Sequence, residues 1–410
     1  MASVVGFDEA LAVVAAWAAK VTATEVAALP LLECSGRVLA EDVKADRDQP
    51  PFDRSTRDGF AVRAGEVSAG GSLRVMGQVR AGEKWSGGAL ETGSAIQIMT
   101  GAPMPAGADA VAMVEHVERV GDAIRLLDGR SLVGGENVVP RGSEARVGAV
   151  VIPAGTVMEA AEIALAAACG CASLRVFRRA SVAIVATGDE LVEVDEVPEE
   201  QQIRNSNSYG LAALVAKVGG EAVRLPIAPD RREELEQIIR RARASDLILL
   251  SGGVSMGEYD LVEEVLLSLG AVFFFTGVKM QPGKPVVFGR LPERDGFPAR
   301  FFFGLPGNPI STQVTFHCFV EPMLRALSGE GLREPRFVQA TLAEEVAGKA
   351  GLMRVLPARL ATDRVRPTVK LVGWQGSGDL AANARANCYV VLPPERERFL
   401  AGDVITILLR

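Results

Sequence analysis

The sequence predicts a multidomain α/β plus β protein. Its centre is a doubly wound, mostly parallel sheet domain, with a small β domain inserted earlier in the chain, an N-terminal linking domain and a C-terminal β domain. Three observations carry this. Strand and helix patterns alternate from residue 181 to about 327, the mark of βαβ units. Short strand patterns separated by glycine turns fill the stretch before about residue 141. Short strands return after residue 329 and end in the apolar run 404–409. The predicted divisions are 1–45 with 141–178 for the linking and dimerisation unit, 46–140 for the inserted β unit, 179–328 for the α/β unit and 329–410 for a β-barrel-like unit.

Phe7, Leu11, Val14, Ala18 and Val21 recur at helical spacing, so residues 8–20 are expected to form an amphipathic helix, packed on its own domain or on a second subunit. Pro50-Pro51 forbids helix in the segment that follows and makes it stiff. Strands are predicted at 73–79, 95–99, 110–117 and 123–127. A strand at 149–152 and a helix at 158–168 are expected to rejoin the N-terminal helix, which makes the β unit an insertion. In the α/β unit the predicted strands are 181–186, 222–225, 246–250 and 271–275. The predicted helices are 209–218, 231–244, 261–269 and 310–327.

The chain has 410 residues, 48% of them hydrophobic and 23% charged, which allows a substantial core. Its net charge of −7 argues against a nucleic-acid or anionic-membrane partner, so an anionic small molecule needs specific Lys, Arg and N–H groups. The five cysteines form no C-x-x-C pair, and with no secretory signal a reducing, cytoplasmic setting is expected. With only two histidines, His116 and His317, neither a His-based zinc site nor a Ser-His-Asp triad is expected.

The stretch 247–260 is the organising feature. An apolar run stops at Ser251-Gly252-Gly253-Val254-Ser255, and Asp260 leads into the next helix. Glycines there let the backbone turn and let a ligand approach its N–H groups. Open α/β sheets bind ligands at the carboxyl ends of their strands, where such a loop lies. A tight turn with acidic helix caps is the competing reading. Glu190, Asp230 and Asp260 each follow a predicted strand, and three carboxylates on one edge suit a hard cation such as Mg²⁺ bridging to phosphates. Taken singly, each is equally a helix cap or a solvated loop charge. Lys284 can neutralise a phosphate as a point charge, Pro306-Gly307-Asn308 forms a further loop, and Thr100 and Ser377 offer hydroxyls from other units. No nucleophile has an adjacent base, so metal-assisted phosphoryl chemistry by positioning and charge is the natural class.

Motifs then accumulate in order. They are Pro51-Phe52-Asp53-Arg54-Ser55 with Asp58-Gly59-Phe60-Ala61-Val62, Thr100-Gly101-Ala102-Pro103, Thr187-Gly188-Asp189-Glu190-Leu191 and Asn205-Ser206-Asn207. Ser251-Gly252-Gly253-Val254-Ser255, Pro282-Gly283-Lys284-Pro285 and Gly304-Leu305-Pro306-Gly307-Asn308-Pro309 follow. Together they resemble the molybdopterin molybdenumtransferase family, to which the C-terminal domain of gephyrin is related, over nearly the whole chain. The resemblance implies insertion of molybdate into adenylylated molybdopterin with release of AMP, and Mg²⁺ as cofactor. It also implies an elongated homodimer with each cleft lined by both subunits, and a molybdopterin adenylyltransferase and molybdoenzymes as partners. It places Asp58, Thr100, Glu190, Asp230 and Asp260 on the family's functional acidic and hydroxyl positions. Arg141, Lys284, Arg354 and Ser377 fall on anion-contacting ones. Three residues depart from the pattern: Arg57 stands at a usual methionine, Gln281 at a common lysine and Glu144 at a frequent aspartate. Gln281 removes one positive charge, with Lys279 and Arg57 as candidates to replace it. Two other readings stay open. A molybdopterin adenylyltransferase shares two of the loops but is a compact single domain, and an idle scaffold would not need the sheet-edge carboxylates.

Overall fold

The computed structural model describes residues 4–67, 71–253, 261–294, 296–362 and 365–410. Its centre is a six-stranded sheet in the order Glu221–Arg224, Ser181–Ala186, Leu247–Ser251, Arg300–Leu305, Val287–Leu291, Val272–Phe275. The first four strands are parallel, and the last two pair antiparallel. The strand run 247–250 is apolar at every position because both faces are covered. Leu247 and Leu249 pack in one core, Ile248 and Leu250 in the other. Helices Arg232–Ala242 and Leu261–Ser268 cover the second face, with Leu235, Ile239 and Ala242 spaced to form one buried stripe.

The predicted helix 310–327 is observed as Pro309–Thr315, a π-helical turn Phe316–Val320, and Glu321–Leu327. Pro322 has no N–H for an i−4 bond and its ring crowds that carbonyl, so the ladder shifts just ahead of it. The N-terminal helix is observed at Phe7–Ala18, but it does not join the 149–168 segment as expected. It packs on the α/β core instead. Trp17 stacks on Phe274 with ring centroids 4.5 Å apart, and Phe7 meets Phe319 at 5.9 Å. Strand Val4–Val5 pairs with Gly277–Val278 beside it. Burying Phe7 and Val14 contributes about 1.5–3 kcal/mol each relative to leaving them exposed.

The chain on either side of the inserted sheet comes together. Val26–Pro30 pairs with Ser173–Phe177, and Val43–Lys44 with Val150–Ile152, around a core of Leu39, Ile152, Met158 and Val176. The inserted sheet has six strands, in the order Ala110–Met113, Gly59–Val62, Ser94–Ile98, Ser72–Val79, Ala123–Leu126, Val117–Val120. The single strand expected at 110–117 is thus broken by a short helical turn at Val114–His116. Gly59 is required by its neighbour: a Cβ there would stand 2.0 Å from the Ala112 carbonyl oxygen.

The C-terminal strands close. Met353–Thr362, Pro367–Leu371, Phe337–Leu342, Val404–Leu409 and Cys388–Leu392 form a five-stranded barrel, completed by the pairing of the first with the last. Val390 faces the barrel core, whereas its neighbours Tyr389 and Val391 face the α/β core, so strand alternation joins the two units. Among the described residues no helix is long and apolar enough to cross a membrane. All five cysteines are free.

Candidate active site

The carboxyl ends of the parallel strands turn into three loops held against one another. Thr187 N–H donates to the Ser251 carbonyl at 3.0 Å, Gly188 N–H to that of Ala228 at 3.2 Å, and Gly252 N–H to that of Leu305 at 3.2 Å. The Asn207 amide nitrogen donates to Ser251 Oγ at 3.0 Å and to the Gly307 carbonyl at 2.7 Å, tying two loops together. Asp189 accepts from Asp230 N–H at 3.1 Å and so fixes the loop that carries Asp230. Gly252 has φ +92°, and a Cβ there would lie 2.6 Å from the Thr187 carbonyl oxygen, so no other residue fits this turn without displacing it.

These loops enclose two adjoining clefts of about 470 and 440 Å³. Both are lined by Thr187, Glu190, Gly252, Gly307 and Asn308. The first adds Asn207, Ser251 and Gly378, the second Gly188, Asp230, Gly253, Pro285 and Pro306. Glu190 and Asp230 are exposed and make no ion pair among the described residues. Thr187 is 3% exposed, and its hydroxyl has no hydrogen-bond partner among the described residues. Helix Ser206–Lys217 begins at the cleft, with the Asn205 side chain accepting from Ser208 N–H. The remaining first-turn N–H groups present a positive helix end to it.

The structure therefore brings Glu190, Asp230, Ser251, Gly252, Gly253, Pro306, Gly307 and Asn308 into one place. Ser377 lies next to them: its carbonyl accepts from Ile310 N–H at 3.0 Å, which seats a C-terminal loop on the start of helix Pro309–Thr315. Asp58, Thr100, Arg141, Lys284 and Arg354 do not line either cleft of their own chain. Asp58 and Thr100 bond to each other in the inserted unit. Arg141 bonds there to Asp48 and Asp53. Lys284 is exposed beside the cleft residue Pro285. Arg354 is half-buried next to Gln281, donating to the Ala347 carbonyl, and burial lowers its pKa. Ser255 and Asp260 lie outside the described residues. Sequence reasoning did not select Thr187, Asn207 or Asp189 as site residues, although each stands in a quoted motif.

Residues 5–170 match a model described as the MoeA N-terminal region (domain I and II), 183–326 a probable molybdopterin binding domain, and 339–409 the MoeA C-terminal region (domain IV). The molybdopterin molybdenumtransferase of Nostoc sp. is 36% identical over 386 residues, covering 92% of this chain and 87% of the relative. That of Haemophilus influenzae is 33% identical, covering 94% of each. The chain belongs to the molybdopterin molybdenumtransferase family. It is a transferase, as the family name states. Among solved structures, the molybdopterin biosynthesis MoeA protein of Pyrococcus horikoshii OT3 superposes with a TM-score of 0.80 at 29% identity, over 100% of both chains. Membership over nearly the full length sets aside the compact adenylyltransferase reading, because the inserted and C-terminal regions both match.

Proposed function

We propose that this transferase acts in molybdenum cofactor biosynthesis, inserting molybdenum from molybdate into adenylylated molybdopterin with release of AMP in a Mg²⁺-dependent reaction. The observation that carries the reading is the meeting of Glu190 and Asp230, both without cation partners among the described residues, with the Ser251-Gly252-Gly253 and Pro306-Gly307-Asn308 loops around two adjoining clefts. The donor set fits a hard cation: two free carboxylates, beside the unpartnered Thr187 hydroxyl. Glu190 and Asp230 would hold Mg²⁺, joined by Asp260 on the sequence argument, and the ion would supply charge stabilisation at the substrate phosphates.

The chain's own groups account for the rest. The start of helix Ser206–Lys217 favours an anionic phosphate. Asn207 holds the two loops at a fixed separation. Among the described residues no side chain lining the cleft is a histidine or cysteine, so the bound oxyanion is the attacking group in this reading. The anhydride joining pterin phosphate to AMP is already activated, so ATP is not consumed. The test is AMP formed per adenylylated pterin under the four combinations of molybdate and Mg²⁺. AMP release only with both supports the reading. Equal release without molybdate indicates a hydrolase, and ATP consumption with pterin adenylylation indicates an adenylyltransferase.

A further inference from the structure

A second cavity, of about 410 Å³, lies at the opposite edge of the central sheet. Arg179 there precedes strand Ser181–Ala186, and Lys217 precedes strand Glu221–Arg224, so both sit where parallel strands begin. The active cleft sits where those strands end, roughly 20 Å away at about 3.3 Å per strand residue. Residues from the linking segments, the α/β unit and the C-terminal strands all border the cavity, Arg37, His317 and Arg410 among them.

Its charges do not balance. Glu321 and Glu330 are both engaged by Arg325, which leaves Glu159, exposed at the start of its own helix, as the one lining carboxylate outside an ion pair among the described residues. Arg178 is held by Asp246 and Glu25. Arg37, Arg179 and Lys217 have no carboxylate within ion-pair distance among the described residues. Burial, followed by the like charge of Arg179, holds the Arg37 pKa down. Cations brought together without a counter-ion cost free energy unless an anion joins them.

Its hydrogen bonds do not balance either. Among the described residues Arg37 Nε, His317 Nε2 and Ser328 Oγ are buried and unpartnered, and all three residues line this one cavity. His317 is 2% exposed and Ser328 6%. Glu321 sits 3.0 Å from His317 Nδ1 and fixes the ring, leaving Nε2 without a protein partner. Buried polar groups are ordinarily satisfied, so three orphans around one cavity mark a missing ligand.

We propose that this cavity is a second ligand site, for a phosphate-like oxyanion held by Arg37, Arg179 and Lys217. Guanidinium groups bind such oxygens bidentately. The volume is in the range of small-molecule sites, so the oxyanion is either free or the phosphate of a small organic molecule.

The test is calorimetric titration of the full chain with inorganic phosphate and, separately, ribose 5-phosphate. Wild type should bind saturably, and the Arg37→Ala, Arg179→Ala double variant should bind about tenfold more weakly or worse, having lost charge-assisted bonds. Lys217→Glu, an exposed position at a helix end, should weaken binding likewise and serves if the double variant fails to fold. Tighter binding of ribose 5-phosphate assigns the site to a phosphorylated organic ligand, and equal affinity assigns it to a free oxyanion. No saturable binding overturns the proposal. So does binding that survives these substitutions and is lost in the cleft variant Asn207→Ala.

Discussion

The Asp58 carboxylate accepts two hydrogen bonds from one residue, Thr100: its N–H at 2.7 Å and its hydroxyl at 2.9 Å. The N–H first and then the hydroxyl hold the Asp58 pKa below the usual carboxylate range, so the group is an anion at neutral pH. This exposed pair lines neither cleft of its own chain. We propose a two-fold dimer in which each pair completes the partner's cleft. Mixing inactive Asp58→Ala with inactive Asp230→Ala should then restore roughly a quarter of wild-type turnover, since half the dimers are mixed and each holds one intact cleft. Absence of restored activity in exchanging dimers, or full wild-type activity at the single-chain mass in light scattering, counts against this.

Asp230→Asn should nearly abolish turnover while leaving the fold intact. The substitution keeps volume and removes the charge of an exposed side chain with no ion-pair partner among the described residues, so little native structure depends on it. The expected loss is about a hundredfold, or roughly 2.7 kcal/mol of barrier. Asp260→Asn should behave alike on the sequence argument. Circular dichroism and turnover on the same preparations decide the matter, and wild-type turnover would reduce either residue to a loop or cap role.

Asp246 ties the linking segment to the sheet. It accepts from Arg178 at 2.9 and 3.2 Å, and from the N–H and hydroxyl of Ser181 at 2.7 and 2.8 Å. Burial pushes its pKa up, but the bonds from Arg178 and Ser181 outweigh this, and the net shift is downward. A lowered folded pKa means the stabilisation is fully present above the unfolded value, near 4, and is lost as pH falls through the folded one. Asp246→Asn should cost about 2–3 kcal/mol at neutral pH, typical of lost bonds to a charged group. The gap in melting temperature between wild type and variant should close as the pH falls below about 4. A gap independent of pH would show that the charge is not what matters.

Much of the fold could be read because its signals are local. The strand Ser181–Ala186 and the final strand Val404–Leu409 stand where the apolar pattern put them. The hairpin Val287–Leu291 with Arg300–Leu305 was not read, although Arg300–Leu305 lies in mid-sheet, because its aromatic run follows a polar, proline-bearing stretch. Barrel closure between Met353–Thr362 and Cys388–Leu392 is a long-range pairing that no local period encodes. The same limit explains the N-terminal helix: periodicity marked its apolar face, but not that Phe319 and Phe274 would be its partners. In the site, the loops were legible from Gly-Gly and Pro-Gly-Asn punctuation. The Asn207 bridge needed the geometry of two loops 44 and 100 residues away.

Lys284 offers the sharpest separation of binding from folding. Its side chain is exposed, and its fold contribution runs through the main chain, whose carbonyl accepts from Val278 N–H at 2.9 Å. Alanine keeps that carbonyl. The neighbouring residues Gly283 and Pro285 are packed independently of the ammonium: Gly283 lies against Thr315 and Met280, and Pro285 lines the cleft. Lys284→Ala should therefore leave the melting temperature nearly unchanged, as surface substitutions usually stay within about 0.5 kcal/mol. It should weaken the phosphate-bearing substrate about tenfold, the loss of one point charge on a phosphate, at roughly 1.4 kcal/mol. Because Gln281 in the paired strand segment is neutral, Gln281→Lys should act in the opposite direction and tighten substrate binding. Substrate titrations of both variants, with melting curves on the same samples, test the pair of expectations. Unchanged affinity in Lys284→Ala would remove this lysine from the phosphate site.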